Sequence, residues 1–467
     1  MNIIPLILKL TNSFNETFHQ NIDFFNLESK IKSIGDTFTK DLYVDYITYL
    51  DNEFAKSKYR KKKYSIKEKL SKSVLTSMGW VTFKYRIYID KETKERYAFI
   101  RDLLNIKPYQ RITDAAEFEL IKYTMTENMT QASKHAIRDE VVSRSTVSKK
   151  IINLKGSIHE NIVRLENTSK VLYIEMDEIH ANLQVKGNKG KSVNHICPCA
   201  IVHEGHKENF VKRKVLKNVH NFASAKLSYR QLWDIIYDYI SKRYDIDKVE
   251  YIFVSGDGAL GIKDYIDVLP SAIFVLDKFH YSKCMKYIFS DGRIRNIADA
   301  TLRRRDIDTF NKLVDIECEN RPDQEKYIRI KQTTILNNID GIINQNHPEY
   351  KCSCAMEGHV SNRYARYITS SPYAFSLQGL ENKLQLLVLN ANKHDLTFDE
   401  FLTLKYGENE HNEIINHFKE LTDIKFKQTL FDTKNNKTIN ISVPKPKFDS
   451  LEVQTKYNYL INKHIIF

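Results

Sequence analysis

The chain has 467 residues, room for about three domains of ordinary size, and its 72 Lys and Arg against 59 Asp and Glu give a formal charge of +13. A hydrophobic fraction of 42% with 11% aromatic residues supports packed cores and excludes wholesale disorder. No apolar run approaches the ~18 residues of a membrane span, the start Met1–Leu8 lacks a signal peptide's basic region and cleavage site, and six cysteines make no disulfide framework, so a soluble protein of the reducing cytoplasm is expected.

Residues 1–53 read as mixed helix without nameable chemistry. From Phe54 to Lys72 nine basic residues face one acid, Glu68. Such a segment releases counterions on meeting a polyanion, so Arg60, Lys61, Lys62 and Lys63 are candidate DNA contacts, with a solvated helix face or linker as the plain alternative. Val81–Ile89 alternates apolar and polar residues, and a polar turn over 90–95 leads to Arg96–Ile100, which predicts a β-hairpin. This N-terminal region, basic arm and hairpin together, spans 1–110.

Thr113 or Asp114 caps a helix through Thr124, Thr130 starts a second, and Ser143 or Ser145 caps a third along the stripe Val147, Ile151, Leu154. The opposite face of the third helix offers Thr146, Ser148, Lys149, Lys150 and Asn153. Two short helices with a polar, basic outer face predict a helix-turn-helix DNA-binding region over 111–165, against the alternative of an ordinary helical hairpin.

The character changes at Lys170. Strands are expected at Val171–Asp177, around Ile196–Val202 and at Asn209–Lys214. An amphipathic helix bearing Leu232, Ile235, Ile236, Tyr239 and Ile240 follows, then the apolar strands Val249–Val254 and Ala272–Leu276. Runs of that kind are buried on both faces by helices, so the class is α/β. Residues 290–350 return to charged helix, and the tail beyond Asn435 reads as a polar, extended surface segment.

Three acids stand out by position. Asp177 ends the first strand, Asp257 directly follows the buried strand in Ser255-Gly-Asp-Gly-Ala259, and Glu357 lies in Cys354-Ala-Met-Glu-Gly-His359. Catalytic groups of α/β sheets gather at the carboxyl ends of strands. Hard oxygen ligands suit Mg²⁺ or Mn²⁺, and a pair of such ions can assist both sides of a phosphodiester exchange. Other patterns fall short. Val185 stands where a phosphate-binding loop needs its first glycine, His203-Glu-Gly-His206 is one residue short of a zincin helix, and the pairs Cys197/Cys199 and Cys352/Cys354 are weak zinc signals.

The blocks Asp177-Glu-Ile-His180, Ser255-Gly-Asp-Gly-Ala259, Leu276-Asp-Lys-Phe-His280 and Cys354-Ala-Met-Glu-Gly-His-Val-Ser361, in that order, resemble the ISLre-type bacterial insertion-sequence transposases. This is a DDE family with Mutator-like relatives, and the likeness runs from Gly79 to about Asn392. The resemblance implies an RNase H-like catalytic core in two parts, 166–290 and 351–400, interrupted by a helical insertion over 291–350 and followed by a C-terminal segment, 401–467. It places the metal-binding and catalytic acids at Asp177, Asp257 and Glu357, with Glu381 as the competitor for the third, and adds His280 through the Asp277-x-x-His280 motif. One departure is Gly261, where the family carries a large aromatic residue. The implied activity is metal-dependent DNA cleavage and strand transfer. The implied cofactor is Mg²⁺ or Mn²⁺, the partners are double-stranded DNA (terminal inverted repeats and target) and further copies of the chain, and the place is the nucleoid. A non-catalytic DNA-binding protein and a nuclease without strand transfer are the alternatives.

Overall fold

The computed structural model describes residues 3–18, 24–137, 140–158, 160–185, 187, 190–207, 215–263, 266, 269, 271–369 and 374–413. The strand expected at Asn209–Lys214 and the tail beyond Asn435 lie outside the described residues.

Helix α1 (Ile4–Phe18) packs on the long α2 (Phe24–Lys56). A short α3 (Lys58–Lys63) follows, capped by Ser57, whose hydroxyl accepts from the Arg60 backbone nitrogen at 3.2 Å. Strand β1 (Tyr64–Thr76) then pairs antiparallel with β2 (Gly79–Asp90), and β3 (Arg96–Tyr97) adds two residues to the far edge. The hairpin therefore differs from the expected one. The main partner of β2 is the basic segment itself, and Phe99 and Ile100 begin α4 (Phe99–Leu103). The apolar residues Tyr64, Ile66, Leu70 and Val74 recur at even spacing, but the serines, lysines and one glutamate among them obscure the pattern. Ile47, Leu50 and Phe54 of α2 share a core with Val81, Phe83, Tyr85 and Ile87 of β2.

Helices α5 (Asp114–Thr126), α6 (Met129–His135) and α7 (Arg144–Ile152) start at Thr113, Asn128 and Ser143, whose side chains accept from backbone nitrogens two or three residues on. Their apolar stripes do not form a separate core. Ala116, Leu120, Ile121, Val147 and Ile151 join Ile179, Cys197 and Cys199 of the next sheet in one cluster.

That sheet has five strands, β4 (Val171–Gln184), β5 (Ser192–His203), β6 (His220–Ala223), β7 (Tyr251–Gly256) and β8 (Ala272–Leu276), in the order β6-β5-β4-β7-β8. The β4–β5 and β5–β6 pairs are antiparallel, while β4–β7 and β7–β8 are parallel. Helix α8 (Tyr229–Arg243), closed by a capping box at Ser228 and Gln231, buries Leu232, Trp233 and Ile236 against Leu172, Ile174 and Met176 on one face. Ile235, expected on the buried side, is exposed. A single turn, α9 (Leu260–Lys263), follows β7.

After α10 (Lys278–Ile288), helices α11 (Gly292–Arg303), α12 (Ile307–Asn320), α13 (Glu325–Leu336) and α14 (Ile339–Ile343) build a helical body with its own core around Phe310, Val314, Ile328 and Ile335. This body covers the outer edge of β8. Asn344 Nδ2 donates to the Phe274 carbonyl at 2.9 Å and Gln345 Nε2 to that of Leu276 at 2.8 Å, so the edge carbonyls are satisfied by side chains. The chain then returns through α15 (Met356–His359), a π-helical stretch over Val360–Ala365 and α16 (Arg366–Ile368). It closes with α17 (Leu377–Ala391) and α18 (Phe398–Tyr406). Among the described residues no helix is long and apolar enough to cross a membrane.

Candidate active site

The sheet register brings the site together. Val171 of β4 lies opposite Tyr251 of β7, an offset of 251 − 171 = 80, and the last paired residues are Glu175 and Ser255. Two residues beyond that last pair come Asp177, still in β4, and Asp257, in the bend just past β7. Ile252 of β7 lies opposite Ala272 of β8 and Gly256 opposite Leu276, and the Asp277 backbone nitrogen donates to the Gly256 carbonyl at 2.9 Å, which brings Asp277 beside the start of the Asp257 loop. Asp177, expected to end the first strand, instead lies inside β4, which runs on to Gln184 because β5 pairs with it there, opposite Cys199, and its side chain is on the face opposite the one α8 covers. Asp257 and Asp277 each stand one residue past the ends of β7 and β8.

Asp277 caps α10, accepting from the Phe279 backbone nitrogen at 3.3 Å, and the helix carries His280 back over the row. Asp177, His280 and Glu357 form the tight group, with one ligand atom from each lying within 4.8 Å of the others. His280 Nε2 is also 3.9 Å from Asp277 Oδ2. Asp257 is not a member of that group; its Oδ1 accepts from the Ala259 backbone nitrogen at 2.9 Å. Its charge nevertheless reaches Asp177. Burial, with Glu357 and Asp257 adding repulsion, raises the Asp177 carboxyl to about 6. A cluster of oxygens with one imidazole, buried and acidic enough to raise a carboxyl in this way, fits a hard divalent cation that would relieve the repulsion.

Close packing shapes the loop after β7. Gly258 has φ +89°, and a Cβ there would lie 2.5 Å from the Asn338 side chain at the α13–α14 junction, so the helical body presses directly on the Asp257 loop. Gly261 faces Tyr229, where a Cβ would meet the ring at 2.5 Å. The Tyr229 ring therefore occupies the space beside 261, and its hydroxyl donates to Glu178 at 2.8 Å.

Glu381 lies elsewhere, in α17, where Ser224 and the backbone of Ala225 donate to its carboxylate. A second group with metal-ligand chemistry, Glu175, His203 and Cys352, is fully buried on the same sheet face. The Gly205 backbone N–H donates to His203 Nδ1 at 3.0 Å, which leaves the ring proton on Nε2, and Nε2 donates to Glu175 Oε1 at 3.0 Å. Both ring nitrogens are thereby committed, so this is a hydrogen-bonded pair and not a ligand set. Glu175 belongs to no sequence motif, because a buried strand residue makes none. Its signal is a charge inside an otherwise apolar run, Val171-Leu-Tyr-Ile-Glu-Met.

The candidate DNA-binding residues divide by engagement. Arg60 Nε donates to the Ala55 carbonyl at 2.8 Å and so caps α2, and Lys63 lies 3.8 Å from Asp90. Lys61 and Lys62 are exposed. On α7, Lys150 pairs with the buried Glu117 at 2.5 Å. Lys149 and Asn153 are exposed, while Thr146 and Ser148 are half-buried.

The profile of an uncharacterised protein family, UPF0236, matches residues 18–402. The chain belongs to UPF0236. Its relatives include UPF0236 protein TTE2489 of Caldanaerobacter subterraneus subsp. tengcongensis, 26% identical over 398 residues, which cover 85% of this chain and 84% of the relative. A second UPF0236 protein of that strain, 26% identical over 400 residues with the same coverage, has a name that joins eleven locus labels, from TTE0033 to TTE2212. Among solved structures, the Drosophila P element transposase strand transfer complex aligns with 68% of this chain and 87% of its own, at 11% identity and a TM-score of 0.22.

Proposed function

We propose that this protein is a DDE transposase that cuts DNA at the ends of an insertion sequence and joins them to a target. The observation that carries the reading is the convergence of Asp177, His280 and Glu357 within 4.8 Å, with Asp257 near enough for its charge to bear on Asp177. The sheet's strand order and the helical body between Asp257 and Glu357 support an RNase H-like core with an insertion. The spacing of α6 and α7 and the exposed Lys149 and Asn153 support a helix-turn-helix. A family relative whose name joins eleven loci of one strain is what a gene that copies itself leaves behind.

Asp177, Asp257 and Glu357 would hold Mg²⁺ or Mn²⁺, with His280 beside them. Bound there, the cation supplies Lewis-acid activation of a water or 3′-hydroxyl and neutralises charge on the scissile phosphate. The chain's own part is position and charge. β4 holds Asp177, the loop braced by Gly258 against Asn338 holds Asp257, and α10 delivers His280. Lys61, Lys62 and Lys149 draw in the DNA backbone.

The test is incubation of purified protein with a supercoiled plasmid carrying the element ends and Mg²⁺ or Mn²⁺. Nicking at the ends followed by joined 3′ products is expected. Cutting without joining would reduce the reading to a nuclease, and binding without cutting would reduce it to a DNA-binding protein.

A further inference from the structure

The segment that delivers Glu357 is irregular from Glu349 to Ala355, yet it is pinned at three points, two on the β4 side chains that lead to Asp177 and one on β7. Tyr173 of β4 holds its start, since the hydroxyl donates to the Glu349 carbonyl at 3.3 Å and accepts from the Lys351 backbone nitrogen at 3.2 Å. Ser255 of β7 lies 3.3 Å from the Tyr350 hydroxyl. Glu175 holds its end, because Oε2 accepts from the Ala355 backbone nitrogen at 2.6 Å, two residues before Glu357. Tyr173, Glu175 and Asp177 are alternate residues of one strand and share one face.

Glu175 is 1% exposed, and His203, 0% exposed, is its companion. The His203 ring stacks on Tyr173 with centroids 5.1 Å apart and planes 6° apart, and the Gly205 N–H fixes its tautomer. A buried carboxylate is costly unless every oxygen has a donor. Here His203 Nε2–H supplies one oxygen and the Ala355 N–H the other, so the charge is satisfied only while the strap lies in place.

We infer that Glu175 and His203 are a positioning pair that fixes Glu357 against Asp177 for metal binding, with Glu175 clamping the Ala355 backbone and His203 holding Glu175. The pair touches neither metal nor DNA. The inference rests on the metal site proposed above. Its chemistry explains why a carboxylate is needed at 175. An amide has one acceptor oxygen and would turn its NH₂ toward one of two donors.

Mn²⁺ binding by the full chain, read by electron paramagnetic resonance without DNA, and amide exchange at Ala355 test it together. Glu175→Gln should raise the half-saturating Mn²⁺ by about 10–100-fold, the usual effect of losing an outer support of a metal ligand, and should speed Ala355 exchange. His203→Phe keeps the ring stack, loses the donor and should behave alike. His203→Gln, which restores an N–H near Nε2, should return most of the affinity. If Glu175→Gln fails to fold, the His203 pair of variants decides. Mn²⁺ affinity unchanged in His203→Phe, or faster Ala355 exchange in Glu175→Gln with unaltered Mn²⁺ binding, would overturn the inference, as would a wild-type chain that binds no Mn²⁺. Weakened Mn²⁺ binding in the variants alongside a wild type that never cuts DNA would uphold the positioning pair and sink the transposase reading alone.

Discussion

The Glu381 carboxylate accepts from the Ala225 backbone nitrogen at 2.6 Å and from Ser224 Oγ at 2.8 Å, which ties α17 to the corner between β6 and α8. The next two residues of α17 continue the pattern. Asn382 Nδ2 donates to the Ile151 carbonyl at 2.7 Å and the Leu154 carbonyl at 3.0 Å, closing the end of α7. Lys383 donates to the carbonyls of Thr124 and Glu127 at the end of α5. Three consecutive buried polar residues make α17 the strut between the sheet and helices α5 and α7, with Asn382 and Lys383 meeting carbonyls that those helix ends leave unpaired.

Glu357→Gln and Glu381→Gln should therefore fail in opposite ways. Glu381→Gln should cost roughly 1–3 kcal/mol of stability, because an amide that keeps its oxygen toward Ser224 and Ala225 turns its NH₂ onto the Gln385 Nε2 donor that Oε1 accepts from, while retaining most metal-dependent cleavage. Glu357→Gln should melt like the wild type and show no cleavage. Melting curves and plasmid nicking, run side by side, check both, and the reverse pattern would move the third ligand to Glu381.

Asp257→Asn should keep the fold and DNA affinity and abolish Mg²⁺-dependent cleavage, since an amide leaves the cation's charge unneutralised. Gel shifts and nicking assays read the two properties separately. Unchanged cleavage would exclude Asp257 from the site.

For the basic segment, the double variant Lys61→Ala with Lys62→Ala should weaken binding to all DNA sequences alike. The log–log salt slope should fall by roughly 0.9 for each phosphate the variant no longer neutralises. Arg60→Ala should instead lower the melting temperature, because the Arg60 guanidinium caps α2 at the Ala55 carbonyl. A salt slope unmoved by the double variant would make α3 a solvated face.

Lys383 should make stability depend on pH. Burial pushes its ammonium down to about 7. Between there and the ordinary lysine value the unfolded chain holds a proton that the folded chain lacks, so stability rises with pH across that window. The contribution reaches at most about 1.4 kcal/mol per pH unit. Urea melts of the wild type and Lys383→Met at pH 6.5 to 9.5 should show the steeper rise in the wild type; parallel curves would rule this out.

Gly261 and Tyr229 should compensate for one another. Gly261→Tyr should destabilise the loop after β7, since the Tyr229 ring already fills that space. Adding Tyr229→Gly should recover part of the destabilisation, which a double-mutant cycle on thermal melts would measure.

Much of this protein is legible in its sequence, because the signals are local. Apolar runs mark β7 and β8 within two residues, and caps at Thr113 and Ser143 mark the starts of α5 and α7. Asp257 declares itself by following β7, whereas Asp177, expected at the end of its strand, lies inside β4, which runs on to Gln184. Local pattern fails where a partner decides the outcome. β1 is a strand because β2 pairs with it despite its lysines, and the four residues of β6 are too few to show a period. Arg60 and Lys150, basic in sequence, turn inward to a carbonyl and to Glu117, and a charge count cannot anticipate such partners. The sequence by itself determined which residue types were available and marked Asp257 as the acid that follows a buried strand. Only the tertiary structure decided that His280 and Glu357 complete the group around Asp177, and that Glu175, Tyr173 and Ser255 hold the strap in place. The reason is physical: register, close packing and the satisfaction of buried polar groups are properties of pairs of segments distant in the chain, and neither segment encodes them alone.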